Sequence, residues 1–245
     1  MKTKILAIFA CLLWGSAFAG AKIGFEYTTP LHLSGMRFML AGLLLIPFLI
    51  YQKIDWISNL KEWRYMLLFG FLQTFIQYGF FFMGLNKVPA AISAIIIGGG
   101  PFFVAVMAHF TMGNDRMSFR KILAIVLGMA GIVFISFAKG GSIHTDISFY
   151  YGVILLIISN IVGASTNIIV AKNRNKVSPV MLTAFANFSG GLILYIVSFF
   201  TEDWYVKPYS LEFYIAWIWL ALIPAVGFSI WYSLLKRPEV KVSEL

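Results

Sequence analysis

Five carboxamide side chains lie inside strongly apolar stretches of this 245-residue sequence, where each needs a hydrogen-bond partner. Gln73 and Gln77 are four residues apart and would share one face of a helix. Asn160 and Asn167 are seven apart and would also share a face, and Asn187 stands alone. Amides bind polar or zwitterionic solutes, but they also bond neighbouring helices to each other. The spacing leaves both roles open and favours a polar cavity for some of them.

Arg37 is the one charged side chain well inside an apolar stretch. An arginine in such a place is costly, which makes a functional role the default hypothesis. We expect it to attract an anionic group, such as a substrate carboxylate. The structural alternatives are a pair with Glu26 or extension of the side chain to the membrane surface. Because no Asp or Glu lies in the interior of any apolar stretch, a carboxylate-coupled mechanism is disfavoured.

A break is predicted in the apolar stretch over residues 90–112, at Gly98, Gly99, Gly100 and Pro101. A bilayer tolerates a broken helix where neighbours or a cavity satisfy the freed backbone groups. Transporters use such interruptions near the midplane to build binding sites. A packing kink is the structural alternative.

Trp14 and Trp231 are further candidates for contact with a solute, and Phe82 and Tyr232 could continue an aromatic path. Aromatic residues are 17% of the sequence, so most of them must pack or face lipid.

Enzyme chemistry has little support, because the sequence has no nucleophile elbow, no His-Glu-x-x-His and no phosphate loop. A single cysteine excludes a disulfide framework or a cysteine metal site. We therefore expect no catalytic residues, no metal and no cofactor. The net charge of +9 does not indicate nucleic-acid binding, because the basic residues sit in short loops.

The composition indicates a polytopic membrane protein: 60% of residues are hydrophobic, 12% are charged, and the mean hydropathy is +0.85. Eight stretches are long enough to cross a bilayer and are numbered here as spans in chain order: roughly 4–24, 31–51, 63–85, 90–112, 119–138, 149–171, 178–200 and 211–235. The first resembles a signal peptide up to Ala17-Phe18-Ala19. Its apolar run continues to Ile23, which favours a retained span.

The lysines and arginines predict the orientation. With the N-terminus inside, every inside loop is richer in these residues than every outside loop. We expect a multi-pass protein of the plasma (inner) membrane with both termini cytoplasmic.

An internal repeat relates the first three spans to the last three. Residues 14–17 align with 162–165, residues 30–33 with 179–182, Gly42 with Gly191, and residues 81–87 with 231–237. The first repeat would hold five spans, an odd number, so the second would enter the membrane from the opposite side. The sequence ends where a ninth span should begin, which predicts a truncated second repeat.

The chain resembles the EamA family of the drug/metabolite transporter superfamily. The matching pieces include residues 13–18, Arg37-Phe38, residues 84–90, residues 94–102, residues 128–132 and residues 231–237. The resemblance implies an all-α inverted repeat of five-helix units, with eight transmembrane helices present of an expected ten. Residues 1–140 would form the first EamA-type repeat and residues 141–245 an incomplete second one. Two departures stand out: Gly113-Asn114 where the family often has Gly-Glu, and the absent last two spans.

The leading hypothesis is a transporter or exporter of a small metabolite that works by alternating access. The alternative is a non-transporting, truncated membrane protein or scaffold that needs partner helices. The expected partners are the lipid bilayer and a small-molecule solute, and a homodimer is left open. The sequence does not indicate the substrate, the direction or the energy coupling.

Overall fold

The protein is all-helical in the part of the chain that the computed structural model describes, which is residues 2–112, 118, 119, 122, 123, 126, 127, 130, 146–173, 175–203 and 207–237. Seven helices of that part are long and apolar enough to cross a membrane. The predicted fifth span, residues 119–138, lies largely outside the described residues. The helical fold is confirmed, and seven of the eight predicted spans are seen.

The observed spans begin and end within a few residues of the predicted positions. The first is Lys2–Phe25, the second is Pro30–Leu44 continued by Ile46–Tyr51, and the third is Trp63–Gly70, Phe71–Gln77 and Tyr78–Lys87. The fourth is Ala90–Gly98 followed by Gly100–Thr111. The sixth, seventh and eighth are Ile147–Lys172, Pro179–Thr201 and Leu211–Leu235, and a short helix, Trp56–Leu60, lies in the loop after the second.

Local sequence explains most of these ends. Pro30 and Pro179 stand at the first turn of the second and seventh spans, where a helix needs no N–H from them. Pro47 divides the second span at Leu45, because it cannot donate to the preceding turn. In the loop, Asp55 accepts hydrogen bonds from the backbone of Ile57 and Ser58, and hydrogen bonds with Ser58 hold the pKa of Asp55 below its usual value.

The second and seventh spans pack together along their length at the centre of the bundle. The first span packs on the eighth, the third on the sixth, and the fourth on the sixth. Large apolar side chains still point outwards, such as Leu12 at 69% exposed, Ile154 at 54% and Phe200 at 84%. A water-soluble protein would not expose so many, whereas a bilayer solvates them. The chain is a multi-pass membrane protein.

Candidate functional site

The middle of the third span is a π-helix, Phe71–Gln77. Such turns are rare and are frequent at functional sites. Gln73 is 4% exposed within it, and its Oε1 accepts a hydrogen bond of 2.7 Å from the hydroxyl of Thr166 in the sixth span. The first predicted amide is thus bonded to a neighbouring helix.

Gln77, at the end of the π-helix, lies on the same neighbour. A methyl group added at Gly163 would be 2.7 Å from Nε2 of Gln77, so the missing side chain at Gly163 makes room for the amide. The hydroxyl of Ser159 donates to the backbone carbonyl of Gln77 at 2.9 Å. The buried Oε1 of Gln77 has no hydrogen-bond partner among the described residues. Gln77 therefore keeps an acceptor available.

Asn160 of the sixth span lies against the break in the fourth. Its Nδ2 donates to the carbonyl of Ile96 at 2.6 Å. A side chain on Gly100 would come within 3.2 Å of Oδ1 of Asn160. Since Pro101 lacks an N–H, this turn of the helix cannot complete its own ladder. The Asn160 amide partly satisfies the interrupted backbone.

The four residues predicted to break the helix have different surroundings. The interruption lies at Gly99, which is buried, with helical backbone angles of φ −73° and ψ −5°. Gly98 and Pro101 are exposed, and Gly100 is half-buried. The break therefore faces the sixth span on one side only.

Asn167 lies at another interface, and the structure does not bring it together with Asn160. Its Oδ1 accepts a hydrogen bond of 2.9 Å from the indole N–H of Trp231 in the eighth span. Trp231 in turn lies 5.2 Å from Trp14 between ring centroids, edge to face. Two of the predicted tryptophans and one predicted amide are thus neighbours.

Ring contacts continue from Trp14 through the bundle. Phe228 lies 5.6 Å from Trp14 and 5.8 Å from Tyr78, and it stacks on Tyr232 at 5.5 Å. The indole Nε1 of Trp14 is buried without a hydrogen-bond partner among the described residues. We call Trp14, Tyr78, Phe228, Trp231 and Tyr232 the aromatic path.

Arg37 reaches the aromatic path at Tyr78. Its side chain is 2% exposed, and its Cζ lies 5.4 Å from the centroid of the Tyr78 ring. Nε and Nη1 have no hydrogen-bond partner in the described part of the chain, and Glu26 does not pair with it there. The side chain points into the bundle, so the two structural alternatives for this arginine do not describe it.

Asn187 is 1% exposed in the seventh span, away from the other four amides, and its Nδ2 has no partner among the described residues. Sequence reasoning did not single out Thr166, Ser159 or Phe228. Thr166 and Ser159 stand next to the two predicted asparagines of the sixth span, which was the available signal. No pattern in the sequence indicated the π-helix.

The two ends of the bundle differ. At the inner end, a recess of about 240 Å³, which includes open space at its mouth, is lined in part by Tyr65, Asn173, Tyr232 and Lys236. At the other end, the hydroxyl of Ser210 bonds that of Tyr27 at 2.8 Å. The recess meets the aromatic path at Tyr232.

Metal chemistry finds no support in this geometry. Among the described residues, no group of three or more His, Cys, Asp or Glu side chains could hold a metal ion.

Comparison with known proteins decides the class of molecule. The model of the EamA-like transporter family matches residues 1–137, which is more than half of the chain. The chain belongs to the EamA-like transporter family. This EamA protein is therefore a membrane transporter, and its family is one of transporters rather than of enzymes.

Its relatives extend over nearly all of the sequence. An uncharacterized transporter of Bacillus subtilis, YvbV, is 25% identical over 239 residues, which are 97% of this chain and 76% of that protein. The uncharacterized inner membrane transporter YedA of Escherichia coli is 26% identical over 90% of this chain and 70% of its own length. A probable amino-acid metabolite efflux pump of Escherichia coli is 29% identical over 133 residues, 54% of this chain and 42% of that protein.

The fold has a counterpart among solved structures. A crystal structure of another protein matches with a TM-score of 0.81, covering 96% of this chain and 79% of that one. At 18% sequence identity, the likeness supports the fold of the EamA protein and does not extend to its substrate.

Proposed function

We propose that this EamA protein moves a small polar or amphipathic metabolite by alternating access, with a site along the aromatic path. The carrying observation is a set of buried polar atoms without partners beside that path: Nε1 of Trp14, Oε1 of Gln77, and Nε and Nη1 of Arg37. Buried polar atoms normally find partners, and each one left open needs an explanation. A solute that bonds them in turn supplies one.

We also propose that the first three spans and the last three are inverted repeats that rock about the contact between the second and seventh. A methyl group at Gly42 would lie 2.7 Å from Cβ of Phe188, and one at Gly191 would lie 2.7 Å from the backbone N of Met39. Gly42 aligns with Gly191, and Met39 aligns with Phe188. Such a reciprocal contact is the mark of a two-fold axis.

The ends of these two spans support the same symmetry. The carboxylate of Glu202, after the seventh span, accepts from the backbone N of Leu31 at 2.9 Å and of His32 at 3.2 Å. Oδ1 of Asn59, after the second span, accepts from the backbone N of Ser178 at 2.7 Å. Each span is thus capped by a side chain from beyond the end of the other.

The remaining pairs follow the symmetry too. Packing of the first span on the eighth corresponds, under the repeat, to packing of the sixth on the third. Each pair contains one close approach at a glycine. Gly227 leaves 3.0 Å for Nε1 of Trp14, and Gly163 leaves 2.7 Å for Nε2 of Gln77. Both approaches place an unpartnered polar group of the proposed site against a smooth helix face.

The conformation described corresponds, in this proposal, to closure on the outer side. There the ammonium of Lys22 donates to the carbonyls of Leu85 and Val88 at 2.6 and 3.1 Å, which ties the first span to the third. The inner end has the recess beside Tyr232. The distribution of lysine and arginine supports placing both termini and this recess on the cytoplasmic side.

The first test is Gln77→Ala in vesicles that contain the purified full chain, with uptake and efflux of a metabolite panel as the readout. We expect at least a tenfold loss of flux with little loss of folded protein, because Oε1 has no partner to leave behind. Gln52→Ala is the matched control, since Gln52 is exposed at the end of the second span.

Two results would count against this proposal. Unchanged flux in Gln77→Ala would remove Gln77 from the site. Absence of flux for every solute in the wild-type chain, beside a working transporter in the same vesicles, would contradict solute transport by this chain.

A further inference from the structure

Arg37 is surrounded by aromatic rings. Its Cζ lies 4.3 Å from the ring centroid of Phe38, 4.7 Å from that of Phe82 and 5.4 Å from that of Tyr78. It follows Pro30, the first residue of its helix, by seven residues, which is a depth of about 10 Å. The charge is therefore held inside the bundle at the outer third of the span.

No anion of the described chain balances that charge. Nε and Nη1 have no hydrogen-bond partner, and no described carboxylate forms an ion pair with Arg37. Moving a cation out of water costs several kcal/mol even after the protein relaxes. The three rings return part of that cost, at about 0.5–2 kcal/mol for each cation–π contact. The unbonded N–H groups keep their own cost.

The guanidinium group determines what would fill the gap. It presents N–H donors in a planar fork that matches the oxygens of a carboxylate or a phosphate. Phe38, Tyr78 and Phe82 add apolar surface beside that fork. The surroundings suit an oxyanion attached to an apolar or flat body better than an inorganic ion, which would find water nowhere near.

We propose that Arg37 binds the oxyanion group, carboxylate or phosphate, of the solute, while the rings of Phe82 and Tyr78 contact its apolar part. This inference rests on the proposed transport function and names the class of solute. Tyr78 joins the site to Phe228 and so to Trp14, which links the anion site with the aromatic path. A solute anchored at Arg37 would extend along that path towards the unpartnered N–H of Trp14.

Binding is tested on the full-length chain in detergent, with three probes of similar shape: phenylacetate, phenyl phosphate and the uncharged phenylacetamide. The readouts are the midpoint of thermal unfolding and the fluorescence of tryptophan. We expect one or both anions to raise the midpoint and change the fluorescence, and phenylacetamide to do so at least tenfold more weakly. The anion that acts at lower concentration distinguishes carboxylate from phosphate.

Variants then locate the binding. Arg37→Gln should weaken anion binding at least tenfold, and Arg37→Lys should recover part of it, because lysine keeps the charge but lacks the fork. Arg64→Gln is the matched control: this exposed arginine also lies over a ring, 5.5 Å from the centroid of Trp63, at the other end of the bundle. It should bind like the wild type.

The proposal is wrong if neither anion binds the wild-type chain more tightly than phenylacetamide, a result that does not depend on any variant folding. It is also wrong if folded Arg37→Gln binds both anions as well as Arg64→Gln does. Flux separates this failure from failure of the transport proposal. Transport of neutral solutes that Arg37→Gln leaves unchanged would overturn the anion site and keep transport. Anion binding without flux of any solute would overturn transport alone.

Discussion

The contact between the second and seventh spans and the contact between the third and sixth are built in opposite ways. The first is made by glycines that bring two backbones together, as at Gly35, where an added methyl group would lie 2.5 Å from the backbone N of Tyr195. The second is made by polar side chains, with Gln73 bonded to Thr166 and Ser159 bonded to the carbonyl of Gln77.

The difference indicates which contact can change during transport. Between helices in lipid, close van der Waals packing is the main source of stability, and backbone contacts have no rotamers with which to adapt. Polar side chains can exchange one partner for another with little change in energy. The glycine contact is therefore suited to act as a fixed axis, and the polar contact to face a solute and rearrange.

The largest expected effect comes from filling the glycine contact. Gly35→Ala would force the backbone of Tyr195 away and should destabilise the protein by about 1–3 kcal/mol or more. The measurements are the yield of monodisperse protein and the midpoint of thermal unfolding. Gly15→Ala is the control, because nothing lies within 4 Å of a methyl group there. Equal midpoints for the two variants would contradict a close-packed axis.

A smaller effect is expected at the polar contact. Gln73→Leu and Thr166→Val, alone and together, should give a coupling energy of about 0.6–1.7 kcal/mol, as for other hydrogen bonds between membrane helices. The loss is limited because the hydroxyl of Thr166 also lies 2.9 Å from the carbonyl of Gly163 in its own helix. Thermal unfolding of the four proteins measures the coupling.

Thr201→Val is the control for that cycle, since the hydroxyl of Thr201 is exposed and bonds the carbonyl of Val197 in its own helix. Additive effects of Gln73→Leu and Thr166→Val would show that the bond between the third and sixth spans contributes nothing. The contrast with the glycine contact would then lose its polar side.

The smallest effects are expected at the reciprocal caps. Glu202→Ala removes acceptors from two backbone N–H groups and should cost about 1 kcal/mol, and Asn59→Ala, which removes one, about half of that. Thermal unfolding of each variant is the measurement, and exposed Glu212, in the first turn of the eighth span, supplies the control Glu212→Ala. A change at one cap only would weaken the case for two-fold symmetry of this contact.

The sequence was a reliable guide to what repeats along the chain and a poor guide to what lies across it. Apolar length located the seven spans seen, and Gly99 with Pro101 indicated the interruption of the fourth, because both depend on local backbone properties. Gln73 and Gln77 were correctly placed within the third span. Their shared neighbour, the sixth span, depends on Gly163, whose effect appears only when the helices meet.

Partners and unusual turns could not be predicted. The π-helix of Phe71–Gln77 has no residue pattern of its own, and it is stable because its neighbours accept its shape. Arg37 was found from its charge alone, whereas the rings of Phe82 and Tyr78 around it come from another span. Asn160 and Asn167 share a helix but bond different neighbours, which seven-residue spacing does not reveal.

The hydrogen bond from Asn160 to Ile96 has a consequence for the synthesis of the protein. Its two residues are 64 positions apart in the chain. At about 5–20 residues per second, the donor leaves the ribosome about 3–13 s after the acceptor. During those seconds the fourth span lies in the membrane without the amide that bonds its interrupted turn. Its final shape is therefore set after insertion, when the sixth span arrives beside it.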